Sequence, residues 1–438
     1  MRLLTKWIVN ILLAGVVGMS LSACQTNTET LAKEKELKEQ KIKLSIRNPK
    51  VEISTQFEQM VAAYEKENPN VDITVHTVGG ASDDLADLKA QIAAGNGPDI
   101  FTNSGYDNVK LWNEYLEDLS DQPWVEHAYK DTLAPVIMNE KIYGMPVNLE
   151  GYGFIYNKDL FKKAGIHTKP KTLTELEEAA KKLQQAGITP FANGYYEEWK
   201  LGVHLLNIAF AQQKDPSAFI KKLNNGTEKI NHNQKFKDII DLLDTTIKYG
   251  NDNPLSTDYN TEVQLFATGN AAMIQQGNWV QPMINQLSPN MNIGFLPIPI
   301  NDDAKNDALV VSVSNYWVVN KQTTDEKKKE AKKFLNWMVS SKQGKIFITK
   351  QFKFIPAFDN IESDNLGPLA ANLSLYYKEG KTLDSNWFSF PDEAREEFGL
   401  AMQSYIAKRL NHDQLLQEFQ KSWEKASKKY SNSPHSPN

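Results

Sequence analysis

Between residues 43 and 102, short β-branched runs alternate with amphipathic helical ones, and no other feature of the chain narrows its fold as far. Residues 43–46 read as a strand. Residues 51–68 place Phe57, Met60, Val61 and Tyr64 on one helical face, and Pro69 ends the run. Val71, Ile73 and Val75 then alternate with polar residues as a strand does. Residues 83–94 carry Leu85, Leu88 and Ile92 on one face, with Gly95 placed as a C-cap, and residues 98–102 give a third strand. The order β-α-β-α-β predicts an α/β sheet covered by helices, and in such sheets ligands bind beyond the strand ends.

Further along, helical patterns cover residues 173–185 (opened by the cap sequence Thr172-Leu173-Thr174-Glu175), 236–249, 262–268 and 327–339, and run again through 391–430. Residues 310–320 return to strand. No internal repeat and no long Gly/Ser linker occurs, so several short crossings, rather than one tether, are expected to join the domains.

Cys24 is the chain's single cysteine, so no disulfide braces the fold and stability must come from hydrophobic cores. Its setting has a use of its own. Arg2 and Lys6 precede an apolar run from Trp7 to Leu21 that is too short to span a bilayer comfortably, and the run ends in Leu21-Ser22-Ala23-Cys24. Small residues before a cysteine are what a lipoprotein signal peptidase needs, so residues 1–23 read as a signal peptide and Cys24 as a lipid anchor. Residues 24–41, rich in Lys, Glu, Thr and Gln, read as a solvated tether, and 431–438 as a disordered tail. Beyond Cys24 the chain is long enough for two sizeable domains. The formal net charge is −5, and more negative once Arg2 and Lys6 are removed, which argues against a nucleic-acid partner.

Catalytic patterns are missing. There is no G-x-S-x-G elbow and no G-x-x-x-x-G-K-[ST] loop, and the seven histidines are scattered. The sequence calls for no catalytic residue, no metal and no cofactor. The adjacent acids Glu177-Glu178 and Glu197-Glu198 read as solvated surface. What stands out instead is aromatic residues in polar turns: Tyr195-Tyr196-Glu197-Glu198-Trp199, Gly277-Asn278-Trp279, and Asn386-Trp387. Any one Trp reads as a core residue; three beside amides and acids suit sugar rings, whose apolar C–H face stacks on an indole while hydroxyls meet polar groups.

One stretch carries a resemblance. Pro146-Val147-Asn148, then Gly153-Phe154-Ile155-Tyr156-Asn157, then Phe161-Lys162-Lys163 resemble the signature of family 1 extracellular solute-binding proteins, in the branch of maltose-, multiple-sugar- and raffinose-type binding proteins. Asn68-Pro69, Ala93-Ala94-Gly95 with Gly97-Pro98-Asp99, Met273 through Trp279, and Gly294-Phe295-Leu296-Pro297 follow in family order. The resemblance implies two α/β lobes of the periplasmic-binding-protein fold (type II) joined by hinge crossings, with Gly151 and Gly153 suited to absorb the hinge's dihedral change. The lobes are expected at residues 42–148 plus 308–342, and at 149–307 plus 343–430. It also implies a protein that captures an oligosaccharide, α-linked gluco- or galacto- by the branch resembled, and delivers it to the transmembrane subunits of an ABC permease. The missing catalytic patterns argue against an enzyme, a monomer is expected, and the Cys24 anchor points to the outer face of a Gram-positive type membrane. Glu150 falls where a relative has a sugar-contacting acid, and Trp279 where one has a stacking Trp. Tyr196, Trp199 and Trp387 fall near further aromatic contacts, and Asn48 and Lys50 in a polar contact loop. Where the relative has Trp and Asp-Arg, this chain has Thr102 through Asp107, so Asn103 and Asp107 are the candidates there. The rival readings are an exported glycan hydrolase and a binding protein for a solute such as glycerol phosphate. The latter would want an Arg cluster, and only Arg47, Arg395 and Arg409 follow the signal.

Overall fold

A computed structural model describes residues 41–79, 84–303, 306–364 and 366–431. Cys24, the signal peptide, residues 24–40 of the tether and residues 432–438 lie outside the described residues.

Two sheets form two lobes. The first runs in the order Val71–Thr77, Ile42–Asn48, Ile100–Asn103, Tyr316–Val319, Met145–Pro146. Its first three strands are parallel, with Ile42 opposite Val71 and Ile46 opposite Ile100. Helices Ser54–Glu67 and Asp325–Ser340 lie against it and against each other. Phe57, Met60, Val61 and Tyr64 are the buried residues of the first, as its 3.6-residue period requires. Tyr64 meets Phe334 edge-to-face at 5.0 Å and donates to Glu330 at 2.5 Å.

The second sheet is built around Glu150–Asn157, buried along its whole length. Ala271–Gly277 pairs with one edge of this strand; Leu309–Ser312 and Ile293–Leu296 share the other. Thr189–Ala192 and Thr382–Leu383 complete the sheet. Helix Leu173–Gln185 begins where its cap sequence places it, with Thr172 accepting from the Glu175 amide. Each lobe has its own contiguous hydrophobic core.

The chain passes between the lobes at two neighbouring crossings, 146–150 and 312–316, held together by the Val147 amide donating to the Asn315 carbonyl, and again between Ile361 of the first core and Leu369 of the second. Leu149 also bridges to Ile355. The expected strand over 310–320 is therefore two strands in different sheets. Its apolar pattern continues through the break because the crossing is itself buried at Val313. The lobe boundaries shift accordingly. Leu309–Ser312 belongs to the second sheet rather than the first lobe, and Phe347, Phe352, Phe354, Phe358 and Ile361 pack in the first core rather than the second. Nothing in an aromatic run tells which of two cores will take it. The pattern over 391–430 likewise divides into Asp392–Ile406 and His412–Ser431, parted by a turn in which Lys408 has φ 59°.

At Gly151 and Gly153 packing leaves no room for a side chain. A Cβ on Gly151 would lie 2.1 Å from Leu373 Cδ1, and one on Gly153 2.4 Å from the Leu296 carbonyl oxygen.

Candidate functional site between the lobes

Asn48 and Asn103 end two of the parallel strands of the first lobe, the position where such sheets bind ligands. Asn48 is buried and holds the turn after it. Its Oδ1 accepts from the Lys50 amide at 3.0 Å, while its Nδ2 lies 3.2 Å from the Lys50 carbonyl oxygen. That turn aims Lys50 at the crossing strand, where Nζ reaches Glu150 Oε1 at 2.5 Å. Both side chains are buried, 10% and 3% exposed, and Lys50 Nζ also stands 5.9 Å from the Trp279 ring. Glu52 Oε1 is 3.9 Å from the same ammonium.

The second lobe supplies an aromatic wall. The strand Ala271–Gly277 ends in Asn278–Val280, and the Trp279 indole folds back over Gly277. A Cβ at Gly277 would lie 2.1 Å from Trp279 Cζ3, so the close approach requires glycine there. His204 sits at the centre. It stacks on Tyr152 at 4.3 Å and 14°, and it meets Trp199 at 4.9 Å, Trp279 at 5.3 Å and Trp387 at 5.7 Å. The Tyr152 hydroxyl donates to the His204 carbonyl at 3.1 Å, fixing the pair. His204 belongs to a π-helical stretch, Lys200–Leu205, of the kind often found at functional sites.

The electrostatics follow from burial. Burial, and then the nearby Lys200 and Lys50 cations, push His204 down to about 3, so the ring is neutral near pH 7. Burial pushes the Glu52 carboxyl up to about 7, against the pull of Lys50. Burial pulls the Lys50 ammonium down, but Glu150 and Glu52 outweigh it and the net direction is up. The Tyr259 hydroxyl is raised far above the ordinary tyrosine range by burial, and further by the charges of Glu52, Glu262, Glu150 and Glu197.

Among the described residues, buried Asn103 Nδ2, Asn278 Nδ2, Gln275 Oε1 and the Tyr259 hydroxyl have no hydrogen-bond partner. Leaving such groups unpaired costs roughly 1–3 kcal/mol each, which a ligand's hydroxyls would recover. Flat apolar rings together with unpaired amides and a phenol are the chemical groups that suit a neutral polyol. Helix Tyr106–Leu111 of the first lobe packs on the turn Asn386–Ser389, and Val51–Ile53 packs on Gln281–Leu287, so the lobes are closed on each other.

Of the residues singled out in the sequence, Lys50, Glu150 and Trp279 come together directly, and Trp199 and Trp387 join them through His204. Asn103 is buried at its strand end, where its Oδ1 accepts from the Gly105 amide at 3.0 Å. Tyr196 is not drawn in and is 52% exposed. The side chain of Asp107 lies outside what the structure describes. Glu197, read from its pairing with Glu198 as solvated, is instead buried, with Oε2 3.1 Å from the fully buried Lys200 Nζ. The wall's other members, Tyr152, His204 and Tyr259, and the buried groups Glu52, Lys200, Glu262 and Gln276 were not singled out. One local signal was available for Tyr152, which lies inside the signature stretch.

The profile of the family described as "bacterial extracellular solute-binding protein" matches residues 48–345. The multiple sugar-binding protein of Streptococcus mutans is 25% identical over 356 residues, covering 77% of this chain and 80% of that protein. The melibiose/raffinose/stachyose-binding protein MelE of Bacillus subtilis is 24% identical over 289 residues, covering 64% and 66%. Among solved structures, a chitin oligosaccharide binding protein superposes with a TM-score of 0.76 at 22% identity, over 89% of this chain and 99% of that one. RafE in complex with raffinose gives 0.74 at 22% identity, over 88% and 100%. These likenesses agree with the two-lobed α/β architecture described above. The chain belongs to the bacterial extracellular solute-binding protein family.

Proposed function

We propose that this protein is the lipid-anchored capturing component of an ABC importer. It closes its two lobes on an α-linked gluco- or galacto-oligosaccharide and presents it to the permease without altering it. The observation that carries the reading is the convergence of Tyr152, Trp199, Trp279 and Trp387 on His204, next to the buried Lys50–Glu150 pair, where the two lobes meet. Stacked rings supply affinity for the apolar faces of sugars, and the unpaired buried amides supply hydroxyl partners. The relatives named above for multiple sugars and for melibiose, raffinose and stachyose support the ligand class. Closure would be driven by the ligand, because only the closed form surrounds it.

Cys24, in the setting Leu21-Ser22-Ala23-Cys24, is the proposed anchor, on the outer face of a Gram-positive type membrane, with residues 24–41 as tether. The protein acts as a monomer. Isothermal calorimetry against raffinose, stachyose, melibiose and maltotriose tests the ligand class: binding of at least one is expected, and silence toward all of them overturns it. Release of Cys24→Ser protein into the medium, where the parent stays with membranes, tests the anchor; retention of the variant refutes it.

A further inference from the structure

Beneath the aromatic wall lies a charged network that the capture of a sugar does not by itself require. Lys200 is fully buried. Its Nζ stands 3.1 Å from Glu197 Oε2 and 3.3 Å from Glu262 Oε2. The Glu197 contact is one of charge rather than a formed hydrogen bond, since Oε2 lacks a hydrogen-bonding partner. Each member then reaches toward the wall. The ammonium lies 5.7 Å from the Trp199 ring and 5.9 Å from the Tyr259 ring. Glu197 Oε1 accepts from the Tyr259 amide at 2.9 Å. Glu262 Oε2 accepts from Gln276 Nε2 at 2.6 Å, and Gln276 Oε1 accepts from Trp279 Nε1 at 3.0 Å. Glu262 Oε1 takes the Gly194 amide at 3.2 Å, and the backbone there leaves room for nothing more: a Cβ on Gly194 would lie 2.6 Å from Lys200 Nζ.

An apolar filling of similar volume would hold the lobe together at least as well, because buried ions lose hydration that their pairing only partly returns. What a hydrogen-bonded charge network supplies is direction. An indole held only by packing can tilt or flip. One whose Nε1 is tied through an amide to an anchored carboxylate has a single orientation.

We infer that Lys200, with Glu197, Glu262 and Gln276, is a positioning network that fixes the planes of Trp199, Tyr259 and Trp279 for stacking, so that residues out of reach of the ligand set its affinity. This rests on the proposed reading of the wall as a sugar site.

The test uses Gln276→Met, which cuts the link to Trp279 without leaving a lone buried charge, and the triple change Lys200→Met with Glu197→Gln and Glu262→Gln, which removes the cation together with both of its carboxylate partners. Near-ultraviolet circular dichroism of the tryptophans, thermal unfolding, and calorimetric Kd for whichever of raffinose or stachyose the parent binds are compared. For Gln276→Met the expectation is an altered tryptophan signal and a Kd weakened about tenfold or more, with the modest fall in melting temperature that the unpaired Trp279 Nε1 brings. The triple variant, which removes the ammonium beside the Trp199 and Tyr259 rings, should also alter the tryptophan signal. Parental spectra in both variants overturn the inference, as does an unchanged Kd with a lowered melting temperature, which is what a purely structural role gives. If the parent binds neither sugar, the ligand reading fails alone, and the spectra still decide whether the network orients the rings.

Discussion

Replacing Glu52 by Gln should make the protein more stable at pH 8 and leave it nearly unchanged near pH 4.5. The Glu52 side chain is 5% exposed, and the Lys50 ammonium 3.9 Å from it is already engaged by Glu150 at 2.5 Å. Burial therefore dominates and moves the carboxyl from an ordinary 4.5 to about 7. A group raised on folding contributes stability that is fully present below the unfolded value and is lost as pH rises through the folded one. The window is thus about 4.5 to 7, and the shift corresponds to about 3 kcal/mol against the ionised form. His204 works in the opposite sense. It is lowered from 6.5 to about 3, so its contribution is present above 6.5 and lost on acidification. Between 4.5 and 6.5 the two slopes oppose, and the parent's own pH profile is a poor readout. The difference between variant and parent isolates Glu52. Urea unfolding from pH 4.5 to 8 should show that difference growing to about 3 kcal/mol in favour of Glu52→Gln. A constant difference across the range would refute the burial argument, and a variant less stable at pH 8 would mean that Glu52 is held as a carboxylate by Lys50.

Three further outcomes are expected. Trp279→Ala should weaken oligosaccharide binding by about 1–3 kcal/mol, measured by calorimetry, with the lobe still folded; an unchanged constant removes Trp279 from the site. Lys50→Met leaves Glu150 buried beside no cation and should cost about 3–5 kcal/mol in chemical unfolding, most of it recovered in the double variant with Glu150→Gln; equal losses in both would show that the charge pairing is irrelevant. Incubation with raffinose or maltotriose should release no monosaccharide by chromatography, and release would favour the hydrolase reading.

Local chemistry was enough to read most of the helices and strands, and the family. Period and cap chemistry set helices such as Ser54–Glu67 and Leu173–Gln185, because the apolar stripe and the Thr172 cap are local facts. The signature around Glu150–Asn157 marked the central strand of the second lobe, and glycine before Trp279 was visible as Gly277-Asn278-Trp279. Three features depend on long-range packing and had no local sign. One apolar run over 310–320 was divided between two sheets, since periodicity is indifferent to which sheet a strand joins. Phe347 to Ile361 went to the first core, since an aromatic cluster fits either. Most telling is the site itself. His204, Lys200 and Glu262 look like surface residues in sequence, because a charged or titratable side chain carries no local sign of burial. Only folding brings Lys200 within 3.3 Å of Glu262 and sets His204 among Tyr152, Trp199, Trp279 and Trp387. Pairing across long sequence separations is what makes their burial affordable, and that pairing exists only in three dimensions.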